Sequence, residues 1–141
     1  NVRLGLSIAS ARPAVRRSLM PVDRAHDLDE VLAAAVDHAR ATRLAPMWAV
    51  TLLAGVNDGD DDARALAARA AAFAAITGVR PRLSVLAYNP IGADDPFRRA
   101  DDAVLARFRA VLSEHGLPSH RRYSGGSDIA AACGQLAATV R

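Results

Sequence analysis

The only cysteine of the sequence, Cys133, stands next to Gly134 in an alanine-rich segment that otherwise predicts a helix. A glycine inside a helix costs about 1 kcal/mol relative to alanine, so the pair indicates a turn or break in the backbone. A thiol exposed at such a turn can serve as a nucleophile. The alternative is that Cys133 is a small buried hydrophobic residue, the usual role of a lone cysteine among alanines.

Polar side chains also follow two of the predicted strands. Ser7 ends the first strand, and Asn89 lies between a later strand and Pro90. A hydroxyl or an amide at the end of a strand can bind a ligand, whereas the alternative for both residues is local turn chemistry. The same two interpretations, ligand contact and local turn chemistry, apply to Asn57, for which the turn is favoured more strongly.

Two arginine pairs lie near the loops that we expect to face a ligand, Arg98 with Arg99 and Arg121 with Arg122. Each pair is a candidate for contact with phosphate groups, and the alternative is a solvated surface pair. The four histidines lack the spacing of a metal site, and the sequence has no glycine-rich phosphate loop. We therefore predict no metal ligands in this chain.

The composition is that of a globular domain, with 141 residues, 51% hydrophobic and 23% charged. Every one of the 18 basic residues is arginine, and the net charge of +3 only weakly favours a nucleic-acid partner. No apolar run reaches the roughly 20 residues that span a bilayer, and no signal peptide is recognisable. A single cysteine fits a reducing cytoplasm, so we expect a cytoplasmic protein without a membrane partner.

Strands and helices alternate along the predicted chain. Alternating or continuous apolar runs predict strands at 2–8, 47–53, 82–88 and 120–123, and the second run is typical of a strand buried on both faces. Helical spacing and capping residues predict helices over 28–39, 60–77, 101–115 and the segment after 127. This order favours parallel βαβ units, in a doubly wound sheet or part of a barrel, with ligand sites at the carboxyl ends of the strands.

The segment SDIAAACGQLA at 127–137 resembles the C-terminal signature of the RlmN/Cfr family of radical S-adenosylmethionine RNA methyltransferases. Four other stretches agree with the family in the same order: LGLSIASARPAVRRSLMPVDR, LLAGVND, YNP and RRYSGGSDI. The resemblance covers nearly all of this chain but only the C-terminal half of a family member. It implies that 1–141 is the C-terminal part of an α/β radical-SAM-type (β/α) barrel with parallel strands and outer helices. It also implies that the N-terminal half of the barrel, which binds the cluster, is absent from this sequence.

The resemblance also implies roles for individual residues. Cys133 is expected to be catalytic, as the carrier of a methyl group that its thiolate takes from S-adenosylmethionine. A second S-adenosylmethionine, cleaved at a [4Fe–4S] cluster, then supplies the radical that lets the carried carbon add to an adenine ring. Radical chemistry is required because the ring carbon of a purine is not a nucleophile. Ser7, Ile8, Ala9 and Asn89 are expected to bind S-adenosylmethionine.

The implied activity is methylation of an adenine carbon in ribosomal or transfer RNA, with C2 as the first candidate for the methylated position. The cofactors are S-adenosylmethionine and the [4Fe–4S] cluster. The family's Cys-x3-Cys-x2-Cys ligands do not occur in this sequence, so we expect the chain alone to be inactive. The sequence departs from the family at Ala9, Ala49, Ser84 and Gly125, where His, Glu, Asn and Arg are common. Two alternatives remain open: a non-catalytic half-barrel that acts as a binding module, and a related radical enzyme with a small-molecule substrate.

Overall fold

The computed structural model of the chain describes residues 2–92 and 94–122. Four strands in this part form one parallel sheet in the order in which they occur in the sequence. The strands are β1 (Gly5–Ser7), β2 (Met47–Leu52), β3 (Arg82–Ala87) and β4 (Ser119–Arg122). The predicted parallel α/β architecture is confirmed, although β1 is shorter than expected. The predicted C-terminal helix, with Cys133 and Gly125, lies outside the described residues.

Helices follow each of the first three strands. They are α1 (Pro13–Leu19), α2 (Leu28–Thr42), α3 (Asp60–Thr77) and α4 (Asp102–Glu114), with a 3-10 turn at Pro21–Arg24. Neither α1 nor the 3-10 turn is among the elements predicted from the sequence. Both begin with a proline, whose fixed φ suits the first turn of a helix and whose missing N–H costs nothing there.

The ends of the long helices follow the local signals in the sequence. The Asp27 carboxylate accepts a hydrogen bond of 2.9 Å from the backbone N–H of Glu30 and so caps the start of α2. Helix α3 ends at Gly78, which has a φ of 73°, the left-handed conformation that glycine adopts without strain. These local bonds fix where the chain leaves each helix and enters the next strand.

One face of strand β2 packs into the hydrophobic core, and its other face belongs to an open face of the sheet. The buried side chains of β2 pack against the helices, and Trp48 meets the ring of Phe73 edge-on at 5.7 Å. Ala49 and Thr51 point to the opposite face and are only partly buried. The prediction that this strand is buried on both faces is therefore wrong for the described residues, because the second face lines a cavity.

The register of the sheet aligns residues of neighbouring strands across that open face. Ser7 lies opposite Ala49, Ala49 opposite Ser84, and Thr51 opposite Leu86. Because the strands are parallel, the carboxyl ends of β1, β2 and β3 meet at one edge, where such folds bind ligands. None of the helices in the described ranges is both long and apolar enough to cross a membrane.

Candidate functional site

A cavity of about 460 Å³ opens at the carboxyl ends of β1, β2 and β3. This volume lies within the range of roughly 300–1,000 Å³ that is usual for small-molecule sites. Most of its wall is apolar, and hydroxyl and amide groups interrupt it at a few points. The lining residues are Ser7, Ala9, Leu19, Met20, Ala49, Thr51, Leu53, Asn57, Leu86, Ala87, Tyr88, Asn89, Ile91 and Phe97.

Three of the four residues expected to bind S-adenosylmethionine line this cavity. Ser7 and Ala9 come from the end of β1, and Asn89 comes from the loop after β3. Ile8 does not line it, since its side chain is 1% exposed and belongs to the hydrophobic core. Any contact of Ile8 with a ligand in this cavity would have to come from its backbone.

The turn after β1 holds Ala9 in an unusual conformation. Ala9 has a φ of 56°, in the left-handed region that residues with a side chain seldom adopt. Its carbonyl accepts a hydrogen bond of 2.7 Å from Asn57 Nδ2, and the neighbouring Ile8 carbonyl accepts one of 2.5 Å from Arg16 Nη1. A strained backbone persists where its surroundings fix it, and such strain is frequent at ligand sites. The polar contacts of this turn are therefore part of the site's construction.

Arg16 itself is held by a buried ion pair. Its Nε lies 2.7 Å from Asp23 Oδ1, and both side chains are 2% exposed. The guanidinium also donates to the Ser7 carbonyl at 3.2 Å, so one side chain joins α1, the 3-10 turn and the end of β1. This role of Arg16 is not predictable from the sequence, because no local pattern pairs it with a residue seven positions later.

Asn57 braces the cavity from the loop after β2. Its side chain is buried, Oδ1 accepts from the Leu53 N–H at 2.8 Å, and Nδ2 also donates to the Thr51 carbonyl at 2.9 Å. These bonds use the polar atoms of the amide within the protein. The structure thus agrees with the turn interpretation of Asn57, extended by its contact with Ala9.

The loop after β3, described over 88–92 and 94–99, contributes to another wall of the cavity, and these residues are called the strap here. Arg99 Nη1 donates to Asn89 Oδ1 at 3.1 Å and to the Tyr88 carbonyl at 3.4 Å. Arg98 Nη1 donates to the Asp95 carbonyl at 2.5 Å. Both arginines therefore lie beside the cavity, as expected, and their guanidiniums are bonded to the strap itself.

The second arginine pair lies elsewhere in the sheet. Arg121 and Arg122 belong to β4, one strand beyond the three that contribute to the cavity. Arg121 Nη2 lies 2.7 Å from the carboxylate of Asp102 at the start of α4. The structure therefore does not bring this pair to the cavity wall, where Arg98 and Arg99 lie nearby.

Thr51 also lines the cavity but is not among the site residues predicted from the sequence. Its hydroxyl makes no hydrogen bond to any residue of the described ranges, and the register places it beside Leu86 on the open face. Its position two residues after Ala49 in a strand was the available signal, since alternate residues share a face. Of the departures from the family pattern, Ala9 and Ala49 line the cavity, while Ser84 is buried and donates to the Met47 sulfur at 3.3 Å.

No protein-family profile matches the chain. Among curated proteins, a probable RNA methyltransferase of Sorangium cellulosum is 56% identical over 96% of this chain and 38% of its own length. A probable dual-specificity RNA methyltransferase RlmN of Symbiobacterium thermophilum is 34% identical over 96% of this chain and 35% of its own length. Over nearly its whole length, the chain is thus similar to the RlmN family of RNA methyltransferases. It spans little more than a third of the length of these relatives.

Two solved structures match the fold of this chain. A radical SAM methyltransferase from Sphaerobacter thermophilus superposes with a TM-score of 0.85 at 32% identity, over 96% of this chain and 38% of that one. A domain of a pyruvate-formate lyase-activating enzyme from Bacteroides vulgatus matches with a TM-score of 0.64 at 16% identity, over 85% of this chain and 66% of the domain, which shows the fold alone. The expected partial radical-SAM-type α/β fold is thereby confirmed.

Proposed function

We propose that this chain is the C-terminal part, over 1–141, of the barrel domain of an enzyme that methylates RNA by radical S-adenosylmethionine chemistry. The observation that carries the proposal is the common position of Ser7, Ala9 and Asn89 around one cavity, in a chain similar to RlmN-type RNA methyltransferases. The N-terminal half of the barrel would supply the remaining parts of the site.

The cavity suits the adenosyl portion of S-adenosylmethionine. Its apolar walls can enclose a flat ring, while the hydroxyls of Ser7 and Thr51 and the amide of Asn89 offer a few oriented hydrogen bonds. When bound, S-adenosylmethionine supplies both the methyl group and the radical precursor. The residues of this chain would orient it and exclude water, with the Ala9 turn fixed by Asn57 and Arg16.

The iron–sulfur cluster does not fit the described residues. Clusters are held by several cysteine thiolates, and the whole sequence has one cysteine. The ranges 2–92 and 94–122 also contain no group of three His, Cys, Asp or Glu side chains placed to hold a metal ion. We therefore assign the cluster to residues outside this chain and derive no step from it.

The family resemblance supports more specific proposals about the target atom, the RNA and the residues involved. We propose that the target is an adenine carbon, with C2 as the first candidate, in ribosomal or transfer RNA of the cytoplasm. We also propose that Cys133 carries the methyl group. Cys133 lies outside the described residues. Arg98 and Arg99 are the better placed of the proposed RNA contacts, since they adjoin the cavity. Arg121 and Arg122 would contact RNA farther from it.

Replacement of Cys133 tests this function in the longest natural polypeptide that contains the sequence. Cys133→Ala should abolish RNA methylation and change the free energy of unfolding by about 1 kcal/mol or less, because only a sulfur atom is lost. Cys133→Ser is the matched control, which keeps the size but not the reactivity of a thiolate. Mass spectrometry of the unmodified protein should find an added methyl group on the peptide that contains Cys133. Normal methylation by Cys133→Ala would refute the carrier role.

A further inference from the structure

The strap is fastened at both of its ends, to β2 and to the turn that follows β2. At its start, the Tyr88 N–H donates to the Leu52 carbonyl at 3.3 Å, and near its end the Arg98 carbonyl accepts from the Ala54 N–H at 2.9 Å. Between these points the chain leaves the sheet and contributes Asn89 to the cavity wall. Between its two attachment points, the conformation of the strap therefore depends on contacts among the residues of the strap itself.

The carboxylate of Asp95 supplies those contacts. Oδ2 accepts hydrogen bonds from the Tyr88 hydroxyl at 2.6 Å and from the Ile91 N–H at 2.8 Å, and Oδ1 accepts from the Phe97 N–H at 2.9 Å. Asp95 is 6% exposed and does not itself line the cavity. These donors lower the pKa of the Asp95 carboxyl, with the Tyr88 hydroxyl as the largest cause. The ionised carboxylate is thus the centre around which the strap folds.

Two of these bonds enclose the proposed ligand contact. Tyr88 and Ile91 are tied to the same oxygen of Asp95, and the only residues between them are Asn89 and Pro90. Pro90 restricts the backbone further through its fixed φ. The segment that carries the Asn89 amide is consequently held on both sides while the Asp95 bonds are intact, and the amide oxygen accepts from Arg99.

We propose that Asp95 is a positioning residue of the S-adenosylmethionine site, which acts by holding Asn89 in the orientation that contacts the ligand. This inference rests on the proposed function in one respect, that Asn89 binds S-adenosylmethionine. Asp95 touches no ligand under this proposal. Its effect on binding should therefore vanish when the Asn89 amide is removed.

A double-mutant cycle in the longest natural polypeptide that contains the sequence tests the proposal, with S-adenosylmethionine as the probe in equilibrium dialysis. Asp95→Asn removes the charge and one acceptor but keeps the size, and Asn89→Ala removes the amide. Each should weaken binding about tenfold, which corresponds to about 1.4 kcal/mol. The double variant should also bind about tenfold more weakly, because residues that act through one another are not additive. Asp94→Asn is the matched control: its exposed side chain has no hydrogen-bond partner among the described residues, and its affinity should be unchanged.

The outcomes separate this inference from the function on which it rests. If Asn89→Ala binds S-adenosylmethionine normally, the proposed role of Asn89 in the site is overturned. If Asn89→Ala binds weakly while Asp95→Asn is unaffected, or if the two losses multiply to about a hundredfold, the positioning role is overturned. Should Asp95→Asn fail to fold, Tyr88→Phe removes one bond to the same carboxylate and enters the cycle instead, with the same expected lack of additivity.

Discussion

Removal of the Arg16 side chain should weaken both the fold and the candidate site. Arg16 forms a buried ion pair with Asp23 and donates to the carbonyls of Ser7 and Ile8 at the end of β1. Arg16→Met keeps much of the apolar length of the side chain but removes its charge and its donors. The Asp23 carboxylate then stays buried without its principal partner.

The expected loss can be worked out from the contacts that remain. Breaking a buried ion pair by removing one partner costs about 3–5 kcal/mol. Arg17 Nε remains 3.6 Å from the other oxygen of Asp23, and the Ile8 carbonyl still accepts from the Ser10 N–H at 2.7 Å. We therefore expect the lower end, about 3 kcal/mol. With a urea dependence of about 2 kcal/mol per molar, the unfolding midpoint falls by about 1.5 M.

Fluorescence of the single tryptophan, Trp48, reports this unfolding directly because the residue is fully buried in the core. Measurements at two protein concentrations separate unfolding from dissociation of any associated chains. Arg17→Met is the matched control, since Arg17 touches the same carboxylate with a side chain that is 64% exposed. It should cost less than about 1 kcal/mol, as exposed ion pairs do.

A double variant gives the sharpest test of the reasoning. Arg16→Met with Asp23→Leu replaces the buried pair by apolar groups, an exchange that is often nearly neutral for stability. The double variant should therefore be more stable than Arg16→Met alone. A cost below about 1 kcal/mol for Arg16→Met would show that the ion pair is not needed. Equal or greater instability of the double variant would show that lost packing, and not an unpaired charge, causes the effect.

Two further predictions concern the cavity wall. Burial and the hydrogen bond to Asp95 raise the pKa of Tyr88 to about 12, so an absorbance titration should show a tyrosine that ionises near pH 12 and disappears in Tyr88→Phe. Because this pKa lies above the ordinary value of 10.0, the stabilisation is complete below pH 10 and is lost as the pH rises towards 12; ionisation of Tyr88 at its ordinary value would contradict the strap geometry. Ala9→Gly should leave the unfolding midpoint unchanged or raise stability by up to about 1 kcal/mol, since glycine adopts the left-handed φ of Ala9 without steric cost. A clear loss of stability in urea unfolding would argue against strain at this position.

Signals that act within a few residues were sufficient to predict much of the fold. Asp27 caps α2 by bonding a residue three positions later, and Gly78 ends α3 through its own backbone conformation. The alternation of strands and helices predicted the parallel sheet, since crossover helices are needed between parallel strands. The same argument placed Ser7 and Asn89 at strand ends, where the structure shows them around one cavity.

Contacts between distant parts of the sequence decided the remainder. The apolar run of β2 does not reveal that Ala49 and Thr51 face a cavity, because periodicity cannot say whether a neighbouring element covers a given face. The bond from Asn57 to Ala9 spans 48 residues, and no local pattern predicts it. The pairing of Arg16 with Asp23 likewise depends on how α1 and the 3-10 turn fold back onto β1. Sequence alone thus determined which groups stand at the strand ends, and tertiary packing determined which of them face the cavity, because only packing fixes the direction of a side chain.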